Sequence, residues 1–349
     1  MNDKELTQLI TALSSSAGVS GCESETADLC LEKLKKYTTD CRIKNGNVFA
    51  EFGERSDSKP HLLLDAHLDR VGMIVTDITD DGFLCCAPCG GLDRRILPAQ
   101  KVTVHTESGD IDGVIAVIPP HLSSGKDNTA PSWDDIYIDI GMTSDKTPVQ
   151  RGDTVSFYCK SAALLGDRIC GSALDDRCSV AALIYAIDLI SRENIDFSEL
   201  PFSITLMLST QEELGERGAC IGCYDVNPDY AIAVDVSFAL SKGEKPSKCG
   251  KLSEGCMIGI SPSLDRGMSD WFISHCKEKS IPYQIEVMNG TTGTNADRFS
   301  VTRNGVKTVT LSIPLRYMHT PAEVISLSDV KNTAELIAAF VKEGMENGR

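Results

Sequence analysis

The sequence has no apolar run approaching the roughly 20 residues of a membrane-spanning helix. The longest candidate, Cys178 to Ile190, is short and interrupted by Asp188. A secretory opening is lacking too. Met1-Asn2-Asp3-Lys4-Glu5 is charged and runs into the amphipathic helix pattern Leu6, Leu9, Ile10, Leu13. A cytoplasmic location is the expectation that follows. Positive charge is in deficit, 34 basic against 50 acidic residues, for a formal net charge of −16. That balance argues against nucleic acid or an anionic membrane as the main partner. There is no internal repeat and no low-complexity segment.

Cysteine is not scarce, at 14 residues. In a chain without a secretion signal these are expected as reduced thiols rather than a disulfide framework. Cys220-Ile221-Gly222-Cys223 and the group Cys85, Cys86 and Cys89 lack a thioredoxin-like flank or a partner at zinc-finger spacing. Small buried side chains are the expected reading of both.

A length of 349 residues predicts two domains. Residues 1–69 read as helix, helix and strands, ending in the apolar run Leu62, Leu63, Leu64, which suits a strand buried on both faces. Residues 70–165 hold short β-type runs separated by turn residues such as Asp80-Asp81-Gly82 and Arg151-Gly152-Asp153, and predict a small all-β domain. Pro119 to Pro131 reads as a polar loop. From residue 166 onward strands and helices alternate again: a long apolar helix opened by Asp175, strands at Ser203–Ser209 and Tyr230–Val236, and a final amphipathic helix. The expected fold class is therefore α/β, a mixed-sheet α/β/α domain of residues 1–69 plus 166–349, with residues 70–165 inserted.

The chemistry-bearing residues fall at the ends of the expected strands and outside the insertion. His67 and Asp69 share a strand face, so the carboxylate is placed to fix the imidazole tautomer. Asp175-Asp176 stands at a helix start, where a capping role competes with a ligating one. Glu212-Glu213 follows a buried strand, where adjacent carboxylates are costly unless opposed by positive charge. Asp235 is the one acid in the apolar strand Ala231-Ile232-Ala233-Val234-Asp235-Val236. His319 follows a strand and precedes Pro321. Two histidines and three carboxylates suffice for two metal ions sharing one acid, with Glu212 left over as a base. Open α/β sheets build sites at such strand ends.

The strings Asp65-Ala66-His67-Leu68-Asp69, Ala173-Leu174-Asp175-Asp176-Arg177, Gln211-Glu212-Glu213-Leu214-Gly215, Val234-Asp235-Val236 and Arg316-Tyr317-Met318-His319-Thr320-Pro321 resemble the tetrahedral-aminopeptidase family, also called glutamyl aminopeptidase or endoglucanase-like. The resemblance spans nearly the whole chain in order. It implies one metal on His67, Asp175 and Asp235, a second on Asp175, Glu213 and His319, Glu212 as general base and Asp69 as partner of His67. It also implies a cis peptide between Asp175 and Asp176, and a homo-oligomer, a hollow dodecamer, assembled through the β insertion. Deleting residues 70–165 is then expected to break assembly before it unfolds the α/β part. The reading is a two-metal aminopeptidase acting on peptides, with zinc favoured and cobalt or manganese also suitable. A glycosidase with paired Glu212 and Glu213, or an inactive metal-binding scaffold, are the alternatives. Two departures from the family pattern stand out: Arg70 where an acid is usual, and Thr292-Gly293-Thr294-Asn295 where Gly-Gly-Thr-Asp is common. With Gly290 to Asn295 small and uncharged, no strict requirement for an acidic N-terminal residue is expected, although Arg70, Arg94, Arg298 and Arg316 are available to meet one.

Overall fold

The computed structural model describes residues 1–117, 130–143 and 146–345. All of the polar loop expected at Pro119 to Pro131 except Ala130 and Pro131 lies outside them. An eight-stranded mixed sheet runs in the order Cys41–Lys44, Asn47–Phe52, Ser203–Ser209, His61–His67, Tyr230–Phe238, Lys307–Leu315, Cys256–Ile260, Tyr283–Val287. Its central strands are parallel, with Ser209 opposite His67 and Ala233 opposite Asp65. Every residue of His61–His67 and of Ser203–Ser209 is buried, because both sheet faces are covered.

Alternate residues of each strand feed two cores. Leu62, Leu64, Ile232, Val234 and Leu311 pack with the helices Asp3–Ser15, Leu174–Arg192, Arg266–Lys279 and Leu327–Glu343. Leu63, Ala231 and Ala233 pack on the other face against Ala219 and Cys223 of the helix Arg217–Val226 and Phe299 of Ala296–Phe299. The result is three layers, and the strand ends of interest open on one edge of them. A second sheet of three strands, Ala162–Ala163, Arg168–Gly171 and Glu323–Ser326, lies beside the main one.

Between residues 72 and 157 the chain forms a closed six-stranded barrel: Gly72–Ile78, Leu84–Cys89, Tyr137–Asp139, Gly109–Ile115, Lys101–Thr106 and Thr154–Phe157. Met73, Val75, Val102, Val104, Ile138 and Val155 fill its interior as a core of their own. Among the described residues of this stretch, helix is confined to the single turns Arg94–Ile96 and Trp133–Asp135. No helix of the described residues is long and apolar enough to cross a membrane.

The helix expected to open at Asp175 is irregular at its start. Leu174–Arg192 contains non-helical backbone at Asp175 (φ −76°, ψ 105°) and Asp176 (φ −115°, ψ 27°). Neither aspartate caps the helix; the cap position is Ala173, in the left-handed region and without a side-chain bond. The amides of Leu174 and Asp175 instead donate to the Glu323 carboxylate at 2.7 and 3.1 Å. The Asp175–Asp176 peptide bond is cis.

Candidate active site

Four strands, two of them through the segments that follow, and one helix start deliver the acidic and imidazole side chains to one place. His67 closes its strand, Asp235 lies in Tyr230–Phe238, Glu213 follows Ser203–Ser209, His319 follows Lys307–Leu315, and Asp175 comes from the irregular helix start. Ligand-type atoms of His67, Asp175 and Asp235 all lie within 4.8 Å of one another, as do those of Asp175, Glu213 and His319. Asp175 belongs to both groups through different oxygens: Oδ1 is 3.2 Å from His67 Nε2, and Oδ2 is 3.2 Å from His319 Nε2. Glu213 Oε1 is also 3.2 Å from His319 Nε2. All five residues named from the sequence as candidate ligands are thus brought together. These are the two such groups among the described residues, and neither contains cysteine.

The Nδ1 atoms turn away from the cluster. His67 Nδ1 donates to the Asp69 carbonyl at 3.1 Å, with Asp69 Oδ1 at 3.4 Å, and His319 Nδ1 donates to the Gly91 carbonyl at 2.8 Å. A hydrogen bond at Nδ1 leaves Nε2 free as an acceptor or ligand atom. The Asp69 carboxylate has a different principal task from the one expected. It accepts the backbone amides of Glu212 and Glu213 at 2.9 and 3.1 Å. Gln211 and Glu216 on either side have φ of 54° and 60°, so the turn carrying the two glutamates is held by one buried carboxylate.

Gly90 and Gly91 reach this cluster from the barrel. Gly90 has φ +88°, and a Cβ there would lie 2.8 Å from Val71 and 3.2 Å from Glu213; a Cβ on Gly91 would lie 3.2 Å from His319 Nδ1. The loop approaches because it has no side chains at these positions.

Electrostatically the cluster is an excess of buried acid. Burial raises Glu212 to about 9 and Asp235 to about 8, with neighbouring carboxylates adding to the rise and His67 opposing it. His319 moves up to about 11: burial works against its charge, but Asp175 and Glu213 overcome it. Asp176 accepts the His67 amide at 3.1 Å through Oδ2, while its buried Oδ1 has no hydrogen-bond partner. Paired imidazole nitrogens and carboxylate oxygens with uncompensated negative charge suit divalent cations.

Each of the arginines considered for substrate recognition has a partner within the protein. Arg70 is 4% exposed and donates to Ser172 Oγ at 2.9 Å. Arg94 donates to the Pro131 carbonyl at 2.9 Å, Arg316 to the Leu240 carbonyl at 2.8 Å, and Arg298 pairs with Glu216 at 2.9 Å. Asn295 Nδ2 ties its loop to the sheet through Asp65 Oδ2 and Ser209 Oγ, at 2.7 and 2.8 Å. Glu323 and Gly91 are additions to the site residues read from the sequence, where Asn295 stood within the Gly290 to Asn295 segment and Asp176 beside Asp175.

Known proteins match this chain in sequence and fold. The lysyl aminopeptidase of Pyrococcus furiosus is 33% identical over 344 residues, covering 96% of each chain. Among solved structures, an aminopeptidase from the archaeon Desulfurococcus kamchatkensis superposes with a TM-score of 0.90 at 31% identity, covering 98% of this chain and 96% of its own. The TET1 peptidase of Pyrococcus horikoshii, which can assemble into a tetrahedron or a large octahedral shell, gives 0.85 at 31% identity, covering 97% and 100%. The class these comparisons define is that of peptide-bond hydrolases. Within it, the model of the M42 glutamyl aminopeptidases matches residues 46–336, and the chain belongs to that family.

Proposed function

We propose that the chain removes N-terminal residues from peptides using two divalent metal ions, one held by His67, Asp175 and Asp235 and the other by Asp175, Glu213 and His319. The observation that carries this reading is the pair of compact donor groups sharing Asp175 through separate oxygens. Zinc fits nitrogen and carboxylate donors best, and cobalt or manganese are also suited. When bound, such ions supply the positive charge that makes water a nucleophile at neutral pH and polarises the scissile carbonyl.

The protein's own part is positioning and proton transfer. Glu212 belongs to neither donor group, and in this reading it takes the proton of the attacking water and passes it to the leaving amine. Asp69 fixes the turn from which Glu212 and Glu213 project. The Asp69 and Gly91 carbonyls set the imidazole tautomers of His67 and His319.

Side-chain preference follows from the engaged arginines. A strict demand for an acidic N-terminal residue needs a preferably bidentate cation beside the site; with Arg70 and Arg298 engaged elsewhere, no such strict demand is proposed and neutral residues are favoured. The barrel is proposed as a separate domain and an assembly surface of a homo-oligomer, a dodecamer in the manner of the tetrahedral relative. Val114, Val117, Tyr137 and Tyr158 on or beside it are 36–59% exposed, which supports a surface meant to be covered.

A panel of glutamyl, leucyl and lysyl substrates, assayed with and without chelator alongside metal analysis, tests the reading. Two metal equivalents and chelator-sensitive release of N-terminal residues are expected. Activity unaffected by complete metal removal overturns the metal reading, and a glutamyl preference of a hundredfold or more overturns the proposed preference.

A further inference from the structure

We infer that Glu323 is a positioning residue for the second donor group, one carboxylate that fixes the backbone of both Asp175 and His319. The inference rests on the metal reading above and names the residue that makes the arrangement of its ligands possible.

Asp175 and His319 come from distant parts of the chain and have irregular backbone. Asp175 lies in the non-helical start of its helix, and His319 has φ +60°. Nothing in regular secondary structure fixes either one. Glu323 does so from both sides. Its Oε2 accepts the Leu174 and Asp175 amides at 2.7 and 3.1 Å, and its Oε1 accepts the His319 amide at 2.9 Å. Glu323 is itself held rigidly. It pairs with Gly171 in the small sheet, and the loop that carries His319 is closed by reciprocal Arg316–Val324 backbone bonds of 3.0 Å.

The carboxylate is 2% exposed. A charge buried so deeply needs opposition. Three amide donors supply part of it, and Arg70 supplies more. That guanidinium is 4% exposed, is anchored on Ser172 Oγ at 2.9 Å, and favours the Glu323 carboxylate, while burial and Asp175 oppose it and hold the carboxyl above its usual range. Arg70 therefore has a place in the site, as a countercharge behind the ligands rather than a contact for substrate.

The geometry makes a sharp demand on the side chain. All three amides are donors, so both terminal atoms at residue 323 must be acceptors. Glutamine offers one acceptor and one donor. Turning its carbonyl to the Leu174 and Asp175 amides keeps two of the three bonds and gives up that of His319, the ligand that belongs to the second group alone. Glu323→Gln should therefore disturb the group made by Asp175, Glu213 and His319 while leaving His67 and Asp235 in place.

The test is a calorimetric titration of the full-length, chelator-stripped protein with Zn²⁺. Wild type is run beside Glu323→Gln, Glu213→Gln and Asp235→Ala, with the melting temperature of each stripped protein recorded. In the wild type two equivalents are expected. In Glu323→Gln one equivalent should bind within threefold of its wild-type affinity and the other at least tenfold more weakly, matching Glu213→Gln and differing from Asp235→Ala. Should Glu323→Gln fail to fold, Glu323→Asp, which keeps both acceptors but shortens their reach, is titrated instead and should weaken the same equivalent. Two equivalents unchanged in the variant overturn the inference and leave the metal reading standing, as does equal weakening of both with a lowered melting temperature. A wild type that takes up fewer than two equivalents overturns the metal reading, and the inference with it.

Discussion

Replacing Asp69 with asparagine barely changes the size of the side chain and removes an acceptor on which the backbone of Glu212 and Glu213 depends. Asp69 is fully buried, and its two carboxylate oxygens take the amides of Glu212 and Glu213 at 2.9 and 3.1 Å. Asparagine can satisfy one of them and must turn its own NH₂ toward the other. A hydrogen bond to a charged group contributes about 1.5–3 kcal/mol, and a buried amide left without a partner costs about 1–3 kcal/mol. These overlap, so a loss of about 2–4 kcal/mol is expected. The displaced segment carries Glu212 itself, so activity should also fall, on the order of 10–100-fold as for other groups that orient metal-site residues. Denaturant unfolding and kcat/KM on aminoacyl p-nitroanilides, measured on the same preparation, check both. Stability and kcat/KM each within twofold of wild type in equilibrium or rate terms would refute the argument that Asp69 holds the turn.

Glu212→Gln should retain near-normal metal content and lose turnover, because Glu213 supplies the donor at that strand end; a near-normal kcat excludes Glu212 as the base. Asp235→Ala removes a donor from the His67 group and should lose metal and activity together, as read by metal analysis after gel filtration. His61 provides a pH test far along the strand from the cluster. Burial, reinforced by Arg55, lowers it to about 4, and its ring nitrogens meet Ser203 Oγ and Thr205 Oγ1 at 2.8 Å each. A lowered value means that its contribution is present above the unfolded value of about 6.5 and is lost as pH falls toward 4. About 1–2 kcal/mol should therefore disappear between pH 7 and pH 5. Urea unfolding should show a weaker pH dependence in His61→Gln, and an identical dependence in the two proteins would contradict the assignment.

The candidate residues were legible because His67, Glu213 and His319 stand at or after the ends of apolar strands, Asp235 is the one acid within such a strand, and Asp175 stands at a helix start. What stayed hidden depended on distant partners. The role of Asp69 toward two amides, and that of Glu323 toward two separate loops, arise only when the chain is folded. The strand Cys256–Ile260 and the helix Arg217–Val226 also escaped notice. The helix has glycine on its buried side: a Cβ at Gly218 would come within 2.4 Å of Asn47 Oδ1, and one at Gly222 within 2.2 Å of Met207 Sδ. Its packing face is read by the absence of side chains, which hydrophobic periodicity does not register. The expectation that its cysteines are small buried side chains holds for Cys223, which lies in the core, and not for Cys220, which is exposed.

The hydrogen bond from His319 to Gly91 joins two bodies that have separate cores. The barrel is consequently no detachable handle. Cutting it out at residues 70 and 165 would take away the acceptor that orients the His319 imidazole, so the remaining α/β part would lack one support of the site. Beside the expectation that such a deletion breaks assembly before it unfolds the α/β part, catalysis is then expected to fail as well. Any force applied to the barrel, whether from a neighbouring subunit or an engineered tether, is likewise delivered through the Gly90–Gly91 loop to the ring it holds.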